Sequence, residues 1–340
     1  MKNLNLFNKL VYLLNLLIAF LLLVGYALPY IPPKVFPALS VLTLIIPVLI
    51  VANILFALYW LLLFKKQVLL SGIILLSGLF CNVTLYNISE KDYSPEENDF
   101  TIFSYNTKRF ILDTSENETE GIWSTLQRQN PSIICLQEYP TDKKSPLKYP
   151  HVYLQDPVKG KGNGLAIYSK FPIINKGSLD FPDSFNNGIY VDLVIKKDTV
   201  RVYNLHMQSL SLTPEIAEIQ QENKKKLISG LGEKFVQQQE QVEIFLENEK
   251  HCEYPVFVTG DFNNTVFSYT YQKIKGEKFD AFAQAGKGFG RTFTFDVIPL
   301  RIDFILGDDQ VYKTQRFERF KVNYSDHYPI MATIRRVSKN

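Results

Sequence analysis

The chain reads as an α/β protein in which a domain of mixed or antiparallel sheets follows three apolar helices. Three observations predict this. Nearly all the apolar excess lies before residue 90, in three runs without a charge. From Phe100 onward, short apolar strands alternate with polar connections. The most reactive side chains follow some strands and precede others, so they meet on one rim only if neighbouring strands run antiparallel.

The apolar runs are Leu10 to Ile31, Val35 to Phe64 and Val68 to Ile88. Each reaches the roughly 20 residues that a membrane-spanning helix needs. None has the polar stripe of a helix packed on a soluble core. Basic residues are retained on the cytoplasmic side of short loops, and Lys2, Lys9, Lys65 and Lys66 fall on one side with only Lys34 on the other. Three spans then carry everything after residue 90 out of the cytoplasm, into a non-cytoplasmic compartment of an inner or cytoplasmic membrane. The first run begins like a signal peptide, but two more spans follow directly, so it is expected to stay as an anchor. The expected organisation is an anchor at 1–89, an acidic linker with Pro95 at 90–99, and a catalytic domain at 100–340.

In that domain, strands are expected at Phe100–Ser104, Ile133–Leu136, Gly164–Tyr168, Ile189–Ile195, Val200–Leu205, Val256–Thr259, Ile302–Leu306 and Ile330–Ile334. Helical periodicity is plain around Gly121 to Gln129, which stops at Pro131. It is plain again in a polar stretch from Pro214 to Glu249, where Gly230 and Gly232 predict an interruption. Cys81, Cys135 and Cys252 are too few and too scattered for a disulfide framework. Of 37 basic and 34 acidic residues, 31 and 29 lie after residue 99. This near-neutral balance lacks the basic footprint of most nucleic-acid enzymes.

The chemistry lies at the strand ends. Asn106, Glu138, His206 and Asp261 follow their strands, while Asp303 and the Asp326-His327 pair begin theirs. Hard cations such as Mg²⁺ take oxygen ligands and usually only one or two carboxylates. Glu138 is the expected first ligand and Asp326 its companion, with Asn106 and Asn263 offering neutral amide groups to the metal or to a phosphate. His327 is the candidate base and Asp303 the group that orients it. His206 is placed to donate to a phosphate oxygen or leaving group, and Asp261 to hold that leaving group or share a metal. Arg291, in Gly288-Phe-Gly-Arg291-Thr292, is a candidate for bidentate phosphate binding. The Gly160-Lys-Gly-Asn-Gly164 turn is weaker evidence of the same kind.

Taken in order, Asn106, Gln137-Glu138, Asn204-x-His206, Gly260-Asp-Phe-Asn263, Arg301-Ile-Asp303 and Ser325-Asp-His327 resemble the endonuclease/exonuclease/phosphatase superfamily over nearly all of residues 100–340. The resemblance implies a four-layered α/β sandwich on two packed sheets and Mg²⁺- or Mn²⁺-dependent in-line hydrolysis of a phosphoester. It implies Glu138 as metal ligand, His327 as base paired to Asp303, and Asp261 with Asn263 around the reacting phosphate. The Asn-x-His pattern is similar to deoxyribonuclease, sphingomyelinase and inositol-polyphosphate phosphatase members. Apurinic-site endonucleases generally lack that histidine.

The expected activity is a membrane-anchored phosphodiesterase or phosphatase. Its substrate would be a lipid headgroup, a phosphorylated small molecule or a nucleic acid. The alternatives are a cell-surface nuclease and a silent domain that binds a phosphorylated ligand. No obligate protein partner is evident.

Overall fold

A computed structural model describes residues 4–81, 83–88, 92–111, 121–141, 145–156, 164–211, 223–294 and 299–337. Lys2, Glu90, Lys91, most of the Gly160–Gly164 turn and the 214–222 start of the expected polar helix lie outside the described residues. The chain divides into two compact units. One comprises Met1–Val83, Asn223–Gln239 and Asn264–Gln272, and the other Thr84–Glu222, Glu240–Asn263 and Lys273–Asn340.

In the first unit, α1 (Leu6–Ala27) begins at Asn5, whose side chain accepts the Asn8 N–H at 2.8 Å. A second apolar run covers Pro37–Leu62, with α2 at Ile46–Leu62. The third expected span needs correction. It forms only α3 (Val68–Ser77) and a 3₁₀ turn to Cys81. These 14 apolar residues cover about 21 Å, short of the roughly 30 Å hydrocarbon core. The run ends early because its last residues leave the helix: Asn87 bridges Gly288 in the second unit, with backbone bonds of 2.9 and 2.8 Å. Among the described residues, two helices, not three, are therefore long and apolar enough to cross a membrane.

These helices are apolar outside and polar inside. Leu6, Phe7, Leu55 and Leu62 are exposed, whereas Asn15, Asn53, Trp60 and Ser71 are fully buried. Asn15 joins the three helices, donating to Ser71 Oγ at 2.8 Å and accepting from Trp60 Nε1 at 3.0 Å. Further along, a Cβ on Gly78 would lie 2.6 Å from the Tyr26 hydroxyl, so α3 runs beside α1 in the same direction.

The expected break at Gly230 and Gly232 is also corrected, since α5 (Lys224–Lys250) is one continuous helix of 27 residues. Glycine costs a helix only about 1 kcal/mol. At Gly232 it admits a close neighbour, because a Cβ there would stand 2.9 Å from the Pro37 carbonyl carbon. Beside it, the Lys34 N–H donates to Gln239 Oε1 at 3.0 Å. The turn between the first two apolar helices thus packs on the first half of α5.

The second unit holds two six-stranded sheets. One has the order β11-β12-β1-β2-β4-β3 and the other β5-β6-β7-β8-β10-β9. The strands are β1 (Phe100–Asn106), β2 (Ile133–Tyr139), β3 (His151–Gln155), β4 (Gly164–Ser169), β5 (Ile173–Ser178) and β6 (Gly188–Ile195). They continue with β7 (Asp198–His206), β8 (Val256–Asp261), β9 (Phe279–Asp280), β10 (Asp303–Gly307), β11 (Tyr312–Arg319) and β12 (Ile330–Arg336). All eight expected strands form; β3, β5, β9 and β11 are additional.

Alternation along β1 separates two cores. Phe100 and Ile102 face the second sheet with Val200, Val202 and Phe257. Phe103 and Tyr105 face Ile122 and Leu126 of α4 (Gly121–Gln129). On the far side, Tyr203 of β7 meets Phe245 of α5 edge-on at 5.0 Å. Helix, sheet, sheet and helix make the four layers.

The rim follows from direction. β1 and β2 are parallel, as are β7 and β8. β12 runs against β1, and β10 against β8. Ends of the parallel pairs therefore meet the starts of β10 and β12.

Candidate active site

Backbone exceptions place the first carboxylates. Gly260 adopts φ 128°, and a Cβ on it would lie 1.9 Å from the Leu205 carbonyl oxygen, so only glycine lets β8 close on β7 before Asp261. Glu138 and Asn263 are also left-handed, with φ of 49° each. Such conformations cost about 1–3 kcal/mol and cluster at functional sites.

Asn106 is 1% exposed and bridges two carboxylates, donating to Asp261 Oδ2 at 2.9 Å and Glu138 Oε1 at 3.2 Å. The Asn263 N–H donates to Asp261 Oδ1 at 2.7 Å, and its side chain donates to the Met207 carbonyl at 2.9 Å. Asp303 takes the Nδ1 side of His327 at 2.9 Å, while His327 Nε2 stands 3.7 Å from Asp261 Oδ2. His206 Nε2 lies 3.7 Å from Glu138 Oε1 and 3.8 Å from Asp261 Oδ2.

Asn106, Glu138, His206, Asp261, Asn263, Asp303 and His327 are thus joined by a chain of near contacts. Asp326 reaches outward instead, where Lys108 Nζ holds its carboxylate at 2.7 Å. Arg291 lies beside the cluster, its Nε donating to the Phe293 carbonyl at 3.0 Å.

Burial governs the electrostatics. It pushes the Asp261 carboxyl up to about 7, reinforced by Asp303 and opposed by His327. Burial alone would depress His327, but Asp303, Asp261 and Asp326 together lift it to about 10. His206 has less help, and burial keeps its pKa low. Asp326 titrates below its usual range, because His327 and Lys108 outweigh its burial.

The residues fit a hard divalent cation. Asp261, Asp303 and His327 bring ligand atoms within 4.8 Å of one another, and the Glu138 carboxylate is tied to Asp261 through the Asn106 amide nitrogen, whose oxygen accepts the Lys108 N–H at 3.0 Å. Both ring nitrogens of His206 are buried without a hydrogen-bond partner among the described residues, next to these carboxylates. A buried polar group left so is costly and marks a place for a ligand or ion.

Three contributors were missed in sequence. Thr292 Oγ1 accepts the N–H groups of Ile302 and Asp303 at 3.0 and 3.1 Å, and so sets the start of β10. The Phe293 ring packs on His327 at 4.9 Å. Lys108 was legible as a basic residue two places after Asn106. Gln137 and Asn204, read with the site, instead tie the sheets together: Gln137 Nε2 donates to Asn204 Oδ1 at 2.6 Å.

Residues 103–327 match the sequence pattern of the endonuclease/exonuclease/phosphatase family. The chain belongs to that family. Residues 8–84 match a separate domain of unknown function. Among solved structures, the fold is similar to an endonuclease/exonuclease/phosphatase from Beutenbergia cavernae DSM 12333, at 16% identity and TM-score 0.54, covering 70% of this chain and 72% of that one. It is similar to the human Nocturnin catalytic domain at 13% identity and TM-score 0.54, covering 73% and 98%. Truncated Caenorhabditis elegans TDP2 matches at 17% identity and TM-score 0.51, covering 69% and 97%. At such identities the likeness is one of fold. No curated protein matches the chain.

Proposed function

We propose that the chain is a membrane-anchored, divalent-cation-dependent phosphoester hydrolase, a phosphodiesterase or phosphatase working outside the cytoplasm. The observation that carries the reading is the Asp303–His327 pair, 2.9 Å apart and aimed at Asp261 within the Asn106–Glu138–His206 cluster. In this reading Glu138 holds Mg²⁺ or Mn²⁺ with the Asn106 amide fixing its carboxylate, whereas Asp326, expected as a second ligand, is taken up by Lys108. Asp303 keeps the imidazole of His327 oriented so that Nε2 takes the proton of an attacking water. Asn263 and His206 donate to phosphate oxygens, and Asp261 holds the leaving-group side. The bound cation would neutralise phosphate charge and compete with the imidazolium for the same carboxylates, leaving His327 neutral to act as base.

Membrane anchoring is supported by exposure. Only 28% and 22% of an apolar 18-residue stretch in each of the two long segments is buried, whereas core helices of soluble proteins are covered. The side is supported by α3, which by length is too short to span a bilayer yet runs beside α1 from Asn15 to Tyr30, and so returns the chain toward the Lys34 end, away from Lys65 and Lys66. A surface nuclease is the second reading, and the balanced charge of residues 100–340 tells against it.

The test is hydrolysis by the full chain in detergent, screened over phospholipids, phosphomonoesters and nucleic acids with Mg²⁺ or Mn²⁺. Chelator should stop turnover, and His327→Ala should lower it roughly 10²- to 10⁴-fold with the fold intact. Asp303→Asn should give a related defect. Parental rates in both variants, or indifference to chelator, would remove this site from the reaction.

A further inference from the structure

Five arginines are not fully exposed: Arg201, Arg291, Arg301, Arg319 and Arg335. Three have carboxylate partners, with Arg201 on Asp192, Arg301 on Asp280 and Arg335 on Asp99, each at 2.7 Å. Arg291 and Arg319 have none within 4.0 Å among the described residues. They lie against each other instead. Arg319 Nη1 donates to the Arg291 carbonyl at 3.1 Å, and the two guanidinium groups stand 5.1 and 6.0 Å from the ring of Tyr328, the residue after His327. Burial lowers the Arg319 pKa and Arg291 adds to the depression, with only Tyr328 opposing. A half-buried guanidinium without an anion is an uncompensated cost, which a bound anion would relieve.

Topology puts this pair at the reacting end. β11 runs antiparallel to β12, and its last residue, Arg319, is in register with Ile330, three residues after His327. Arg319 also lines a cleft of about 780 Å³ with Lys287 and Arg316, the carboxylates of Asp92 and Glu318, and the rings of Tyr86 and Tyr93. Arg316 is already neutralised by Glu318 at 2.9 Å.

Resting on the hydrolase reading above, we infer that Arg291 and Arg319 bind a second anionic group of the substrate. The substrate class is then a phosphoester whose alcohol carries a further phosphate. Arg319 contributes specificity and is not a catalytic residue, since it touches the group beside the scissile phosphate.

The experiment uses the full chain and two p-nitrophenyl phosphodiesters that share the scissile group and differ by one phosphate on the alcohol. The parent should favour the doubly phosphorylated ester in kcat/KM. Arg319→Gln should reduce that preference roughly 10- to 100-fold, as loss of charge-assisted bonds implies, with Arg319→Lys recovering part of it. An unchanged ratio overturns the inference even if both rates fall. Calorimetric titration of chelator-treated protein with glycerol 1-phosphate, and with phosphatidic acid in phosphatidylcholine vesicles, separates the two readings. Binding lost in Arg319→Gln but kept in His327→Ala, without hydrolysis of either ester, would sink the hydrolase and leave the anion site. Binding of vesicles alone would put the second phosphate on a lipid, binding of both would admit soluble esters, and binding of neither overturns the site.

Discussion

His206 is 3% exposed, yet neither ring nitrogen has a hydrogen-bond partner among the described residues. Burial lowers its pKa, so it sits neutral between Glu138 and Asp261 and gains little from their charges. Such a residue is costly to the free fold and useful once a phosphate arrives. With chelator present, His206→Leu should therefore unfold no earlier than the parent in urea, and gain about 1 kcal/mol from removing the unpaired polar atoms. The same variant should lose at least about tenfold in phosphoester turnover, the scale of one missing donor to the reacting group. A marked drop in stability would identify His206 as a structural residue. His327 differs because Asp303 already satisfies one side of its ring.

Among the elements, two glycines of similar appearance in sequence have opposite expected behaviour. Gly260 combines φ 128° with a neighbouring carbonyl 1.9 Å from any added Cβ, at the point where β7 and β8 run in parallel. Gly260→Ala should cost at least roughly 2 kcal/mol, read from the urea midpoint, and shift Asp261 enough to impair hydrolysis. Gly230 has nothing within 4 Å of its would-be Cβ and lies inside α5. Gly230→Ala should stabilise by about 0.5–1 kcal/mol through helix propensity alone. Equal effects at the two positions would contradict the strand packing described here. The Gln137–Asn204 bond belongs to the same scale, since it spans from β2 to β7 and holds the two sheets at the spacing the site requires.

At the scale of the whole molecule, the outward apolar surface of α1 and α2 and the inward Asn15–Ser71–Trp60 network match a lipid-embedded bundle, in which buried polar side chains hold helices together. The short third helix still runs beside α1, from the level of Asn15 to that of Tyr30. Cysteines introduced at Lys34 and Lys66 should consequently label from opposite faces of sealed vesicles, and a C-terminal reporter should share the Lys34 side. Labelling of both from one face would reverse the arrangement, as would a reporter active only in the cytoplasm.

Much of this was determined by the sequence itself. Apolar runs, strand-length alternation and side chains at strand ends are local patterns, so the eight core strands and the placement of Asn106, Glu138, His206, Asp261, Asp303 and His327 on one rim are legible in the chain alone. Tertiary structure decided what depends on partners distant in the chain. β11 has exposed and charged positions because it is an edge strand, and it is recognisable only beside β12. Beyond Cys81 the third apolar run is drawn into a pairing of Asn87 with Gly288, some two hundred residues later, and Gly232 within α5 gives room for Pro37. Asp326 lies against Lys108, and Arg319 beside Arg291, for the same reason: a side chain's charge is written in the sequence, but the charge that answers it is chosen by the fold.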